Sequence, residues 1–137
     1  MTEKKLRSLL DLWKTRLGLS DWRINLVIAP CEDETSYMEI TRSIYYQRAK
    51  ITVNPWMLDI KKVPKDVLIE LNDNTIEESL VHELLHLYTR DLVSIVRNDL
   101  GELLHRDVHE IICNSISRAD ERCVDALSVA LCQSFRK

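Results

Sequence analysis

The spacing of apolar residues points to an α+β fold, and three stretches carry that expectation. Leu6, Leu9, Leu10, Trp13 and Leu17 recur at the spacing of one helix face. DWRINLVIAP and QRAKITV alternate apolar and polar residues, as half-buried strands do. From Thr75 to about Asn98 apolar residues again follow the helical period, in the strongest helix pattern of the chain. The expected architecture is therefore an N-terminal helix, a short three-stranded and mostly antiparallel sheet, a central helix, and a C-terminal helical region. A chain of 137 residues fits this into one domain spanning residues 1–137.

The first helix covers residues 3 to 17, and Gly18 is placed to end it in a left-handed turn. The first strand puts Trp22, Ile24, Leu26 and Ile28 on one face and stops at Pro30. CEDET is an acidic turn, and residues 36 to 40 form a weaker strand candidate. In residues 47 to 53, Ala49, Ile51 and Val53 share a face before Asn54-Pro55 closes the strand. Short connections between these strands suggest an antiparallel meander. Trp56, Met57, Leu58, Val63, Val67, Leu68 and Leu71 suggest one or two short helical turns within residues 55 to 74. Thr75 and Glu78 fit a capping box that opens the central helix. Residues 85 to 96 are apolar almost all round, which places that part of the helix centrally in the domain. The last helical region runs from about Asp107 to Ser134, with a break near Asn114.

Composition narrows the function. With 45% hydrophobic and 30% charged residues the chain has the balance of a folded globular domain. A net charge of -3, and basic residues scattered as Lys4-Lys5, Lys61-Lys62 and Arg136-Lys137, leave no footprint for nucleic acid. No apolar run is long enough to span a membrane. MTEKKLRSLLDLWKTRLG reads as a charged amphipathic helix rather than a signal peptide. Cys31, Cys113, Cys123 and Cys132 form no CxxC pair, so free thiols in a reducing cytoplasm are expected.

Within the central helix stands SLVHELLHLYTR, residues 79 to 90. His82 and His86 are four residues apart, about 400° of helix, so both imidazoles project from nearly the same face and can reach one zinc ion. Glu83 lies beside them, turned by about 100° from His82. A glutamate there can touch a zinc-activated water without ligating the metal, and can take its proton. This is the HExxH arrangement. The extended form with a third histidine is absent, because Thr89 and Leu92 occupy the glycine and histidine positions.

A third ligand must come from further along. Glu121 and Asp125, in ADERCVDALSVAL, share a helix face at i, i+4. One carboxylate could ligate zinc while the other holds the free N–H of a ligand histidine. His105, His109 and Glu110 compete for the third place, though the charged surroundings of LLHRDVHE suit an exposed face. If near the metal, His105 or His109 could instead stabilise an oxyanion, a role also open to Tyr45, Tyr46 and Tyr88.

At VHELLHLY and ERCVD the chain resembles the gluzincin metallopeptidases, whose HExxH helix is followed by a distal helix with E-x-x-x-D. LGLSDWRINL, QRAKITVN, SLVHELLHLY and ERCVDALS together are similar to small metallopeptidase-like proteins of phages and prophages, so the resemblance covers most of the chain. It implies a minimal zincin-like domain and a zinc-dependent peptidase with His82, His86 and Glu121 as ligands and Glu83 as general base. Asp125 would be the partner of a ligand histidine, His82. The resemblance also implies that residues 47 to 53 form an edge strand that binds an extended peptide or protein substrate by strand addition. At this length, no counterpart of the second, substrate-closing domain of larger gluzincins is expected within residues 1–137. The rival expectation is a non-catalytic zinc-binding structural or regulatory interaction protein of phage origin.

Overall fold

A computed structural model describes residues 1–43, 46–63, 71–101 and 103–136. The fold is α+β, as the sequence leads one to expect. Helix α1 is Glu3–Arg16, strands β1, β2 and β3 are Arg23–Ile28, Met38–Ser43 and Arg48–Val53, and helices α2 and α3 are Asp73–Asn98 and Arg106–Phe135. Two short 3-10 turns, Pro55–Met57 and Ile60–Lys62, follow β3. They answer the helical turns expected there; Val67 and Leu68 lie outside the described residues. The residues group into two compact units, Met1–Leu84 and Leu85–Lys137, and the division falls inside the continuous helix α2.

In the first unit, α1 begins at Thr2, whose hydroxyl accepts from the Lys5 amide at 3.3 Å, and ends where Gly18 takes φ 68°. Its inner face buries Leu6, Leu10 and Trp13 completely or nearly so. The Trp13 indole N–H donates to Glu77 Oε1 at 2.8 Å, and Lys5 Nζ meets Asp73 Oδ2 at 2.6 Å. These bonds tie α1 to the opening turns of α2. Leu26, Ile40, Ile51, Val53, Met57, Ile76, Leu80 and Val81 are among the other core residues of this unit.

The sheet order is β1-β3-β2, with β1 parallel to β3 and β2 antiparallel to it. This corrects two expectations. The sheet is mixed rather than a meander, and residues 47 to 53 are not an edge. Both sides of β3 are paired, from Arg23↔Arg48 to Ile28↔Val53 on one side and Met38↔Val53 to Ser43↔Arg48 on the other. No backbone amide or carbonyl ladder of β3 is left for strand addition. The physical reason lies in its sequence: Ile51, Thr52 and Val53 are consecutive and all buried, which requires cover on both faces. The strand most buried on its faces also takes the middle of the sheet.

The cap of α2 lies three residues earlier than the TxxE box suggests. Asn72 Oδ1 accepts from the amides of Asn74 at 2.8 Å and Thr75 at 3.1 Å, while Thr75 Oγ1 accepts from the Asn72 amide at 2.9 Å. Thr75 thus serves as the returning partner of a reciprocal cap rather than as its start. The buried part of α2 ends at Leu87; Tyr88, Leu92 and Ile95 are 51%, 68% and 50% exposed, so the apolar run does not lie centrally throughout. Helix α3 is unbroken at Asn114. All four cysteines are free thiols. Among the described residues no helix is long and apolar enough to cross a membrane.

Candidate metal centre

Helix α2 carries His82, Glu83 and His86 in its well-packed stretch, where Leu80, Val81, Leu84 and Leu85 are buried. That packing sets the helix phase and turns the three polar side chains the same way. His86 is 2% exposed, Glu83 is 8% exposed, and His82 is half-buried. A buried carboxylate is costly unless it has polar work to do.

In the second unit α3 brings two adjacent carboxylates to the two edges of one imidazole. Asp120 Oδ2 lies 3.3 Å from His86 Nδ1, and Glu121 Oε1 lies 3.5 Å from His86 Nε2. Consecutive helical residues diverge by about 100°, which lets neighbours in sequence reach opposite edges of a flat ring. Asp120 is nearly buried, whereas the Glu121 side chain is 57% exposed.

His82, one turn before His86 on the same helix, completes a group. One ligand atom from each of His82, His86 and Glu121 falls within 4.8 Å of the other two, and the group could hold a metal ion. Zinc held tetrahedrally by nitrogen and oxygen has donors about 3.3–3.6 Å apart. The His86–Glu121 pair already meets that spacing, at 3.5 Å. The full set is bounded at 4.8 Å, about an ångström wider than a closed shell. Two histidines and one carboxylate leave the fourth position of a tetrahedral ion open, as catalytic sites do.

The rival third ligands are elsewhere on α3. That helix rises about 1.5 Å per residue, which puts Glu110 and His109 roughly 16 and 18 Å from Glu121 along its axis. His105 is the N-cap residue beyond its first turn, 79% exposed and 3.9 Å from Asp107. His109 caps the end of α2: its Nε2 lies 3.2 Å from the Val96 carbonyl oxygen and 3.3 Å from Cys113 Sγ. A side chain at Gly101 would crowd this ring, with a Cβ only 3.2 Å from its Cε1. Neither histidine is placed to meet an oxyanion beside Glu121. Tyr88 is two residues past His86, about 200° round the helix, and projects away from it. Tyr46 is 70% exposed with the Arg48 guanidinium over its ring at 5.8 Å. Tyr45 lies outside the described residues.

Asp125 sits on the exposed side of α3, one turn beyond Glu121. The carboxylate beside His86 is Asp120, which sequence reasoning passed over. Its only sequence signal is its place directly before Glu121. Cys31 is not part of the His82, His86 and Glu121 group; burial pushes its thiol up to about 11, and the Glu39 and Glu83 carboxylates push the same way. Its Sγ–H donates to the Thr52 carbonyl at 3.7 Å. A shallow groove of 610 Å³, lined by Ser115, Ser117, Arg118, Glu121 and Arg122, opens beside the third donor.

Comparisons with known protein families, with curated proteins and with solved structures give no match.

Proposed function

We propose that this protein is a small zinc-dependent metallopeptidase, with His82, His86 and Glu121 as metal ligands and Glu83 as general base. The observation that carries the reading is the arrival of Glu121 at an HExxH helix, with its Oε1 3.5 Å from His86 Nε2. A histidine-histidine-glutamate donor set suits zinc and leaves one position for water or substrate. Zinc bound there would bring the pKa of its water towards neutrality and polarise a scissile carbonyl. Glu83 would accept the proton of that water and pass it to the leaving amine. Its burial strengthens this action, because charge interactions grow as water is excluded. His82 and His86 would hold the ion from one helix, and Glu121 would complete the set from α3. The free thiols fit the reducing cytoplasm, of the host if the chain is phage-encoded.

Purified protein loaded with one equivalent of zinc should cleave members of a broad unstructured peptide library. Chelation should stop cleavage, and re-addition of zinc should restore it. Zinc-loaded protein that leaves the whole library intact rejects the peptidase reading.

A non-catalytic zinc protein is the second reading. It is favoured by the exposed apolar side chains of Leu92, Ile95, Leu103 and Ile111 in the second unit, which a partner could cover. A closed site with a fourth protein ligand, and no cleavage, is its expected signature.

A further inference from the structure

We infer that Asp120 is a positioning residue: its carboxylate fixes the His86 ring so that Nε2, and not Nδ1, faces the metal. The inference rests on the metal-site reading above. A neutral imidazole has one N–H and one lone pair, and whichever nitrogen keeps the proton cannot bind a metal. His86 is 2% exposed, so its two nitrogens depend on protein groups rather than water.

Two carboxylates reach these nitrogens, one at each, and compete for one N–H. Asp120 Oδ2 lies 3.3 Å from Nδ1 with its side chain 11% exposed, and Glu121 Oε1 lies 3.5 Å from Nε2 with its side chain 57% exposed. Asp120 is both closer and less screened by water, so it holds the stronger claim on the proton. With the proton on Nδ1, the lone pair of Nε2 points towards Glu121, where the ion would sit. The other tautomer sets the Nδ1 lone pair against a nearly buried carboxylate, a repulsive contact. Asp120 Oδ2 stands at ion-pair distance from Nδ1. Carboxylates in this position orient the ring and raise its basicity, and their loss typically weakens metal binding 10–100-fold. Asp120 and Asp125 need not compete, since the resemblance assigns Asp125 to His82.

The test is zinc affinity by chelator competition on the full chain, for wild type, Asp120→Asn, Asp120→Glu and His86→Ala. Asp120→Asn should bind zinc about 10–100-fold more weakly, with the melting temperature of the zinc-free protein close to wild type. Asp120→Glu should recover part of the loss. Zinc-free wild type gives an independent readout in nitrogen-15 spectra of its histidines: His86 should carry its proton on Nδ1. An Asp120→Asn protein with wild-type affinity, alongside a His86→Ala protein that has lost zinc, overturns the role of Asp120 and leaves the metal site standing. A His86 ring protonated on Nε2 in the zinc-free protein overturns it too. If His86→Ala binds zinc as wild type does, the metal-site reading and this inference fall together.

Discussion

Glu83→Gln should lower peptide cleavage by roughly 10²–10⁴-fold while zinc binding stays at the wild-type level. Glutamine keeps the size and shape of the side chain but cannot accept a proton at neutral pH. The position is 8% exposed on a helix held by the buried Leu80, Val81 and Leu84, so the substitution meets a site already shaped for an amide of that volume. Removing a negative charge from that site should also leave folding intact, because a neutral side chain is cheaper to bury than a carboxylate. The loss should fall on kcat, with KM little changed, since Glu83 acts on the proton in flight and not on bound substrate. Loss of zinc together with activity would make Glu83 a ligand. Retained cleavage would mean that another group takes the proton.

The largest effect on folding is expected at Trp13. Trp13→Ala should cost about 3–5 kcal/mol, read as a lower urea midpoint with an unchanged m-value. For a chain of this size that corresponds to a melting point lower by roughly 10–20 °C. Trp13 is the largest fully buried side chain among the described residues. Its loss leaves a cavity under α1 and removes the 2.8 Å bond from its indole to Glu77, which ties α1 to the helix that carries the site. Trp13→Phe separates the two contributions: it keeps most of the apolar volume and should cost about 1–2 kcal/mol for the missing hydrogen bond. A loss below about 1 kcal/mol in the alanine variant, far under the usual cost of truncating a buried aromatic, would mean that α1 contributes little to the first unit.

What could be read from sequence follows what periodicity reports. Helical spacing at Leu6, Leu10 and Trp13 gives a buried face, and Gly18 gives a stop; both are local, and both match α1. The spacing of His82 and His86 is equally local, because one helix fixes it. Strand order is not. Alternation tells which side of a strand is apolar but says nothing of its neighbours, so the central place of β3 was hidden. Its one trace is the run Ile51-Thr52-Val53, buried at every position. The cap of α2 was misplaced for a related reason. Both Asn72 and Thr75 are good capping residues, and only the hydrogen bonds reveal which accepts from which. Leu92 and Ile95 are apolar, but hydropathy cannot say that they stay uncovered.

The candidate site divides along the same line. The half on α2 is written in five consecutive residues. The half on α3 depends on how far along that helix His86 falls, which no pattern within α3 contains. Glu121 was nameable through its spacing to Asp125 and through the gluzincin resemblance. Asp120 could be named only once His86 Nδ1 was found beside it.

Zinc binding measured across ligand variants bears on all of this at once. Wild type should bind one zinc ion, and His82→Ala, His86→Ala and Glu121→Ala should each lose most of that affinity. His105→Ala and His109→Ala should bind as wild type does, because both lie far along α3 from Glu121. A wild-type protein that binds no zinc, or a Glu121→Ala protein that binds normally while a His105 or His109 variant fails, would contradict the assignment of the site.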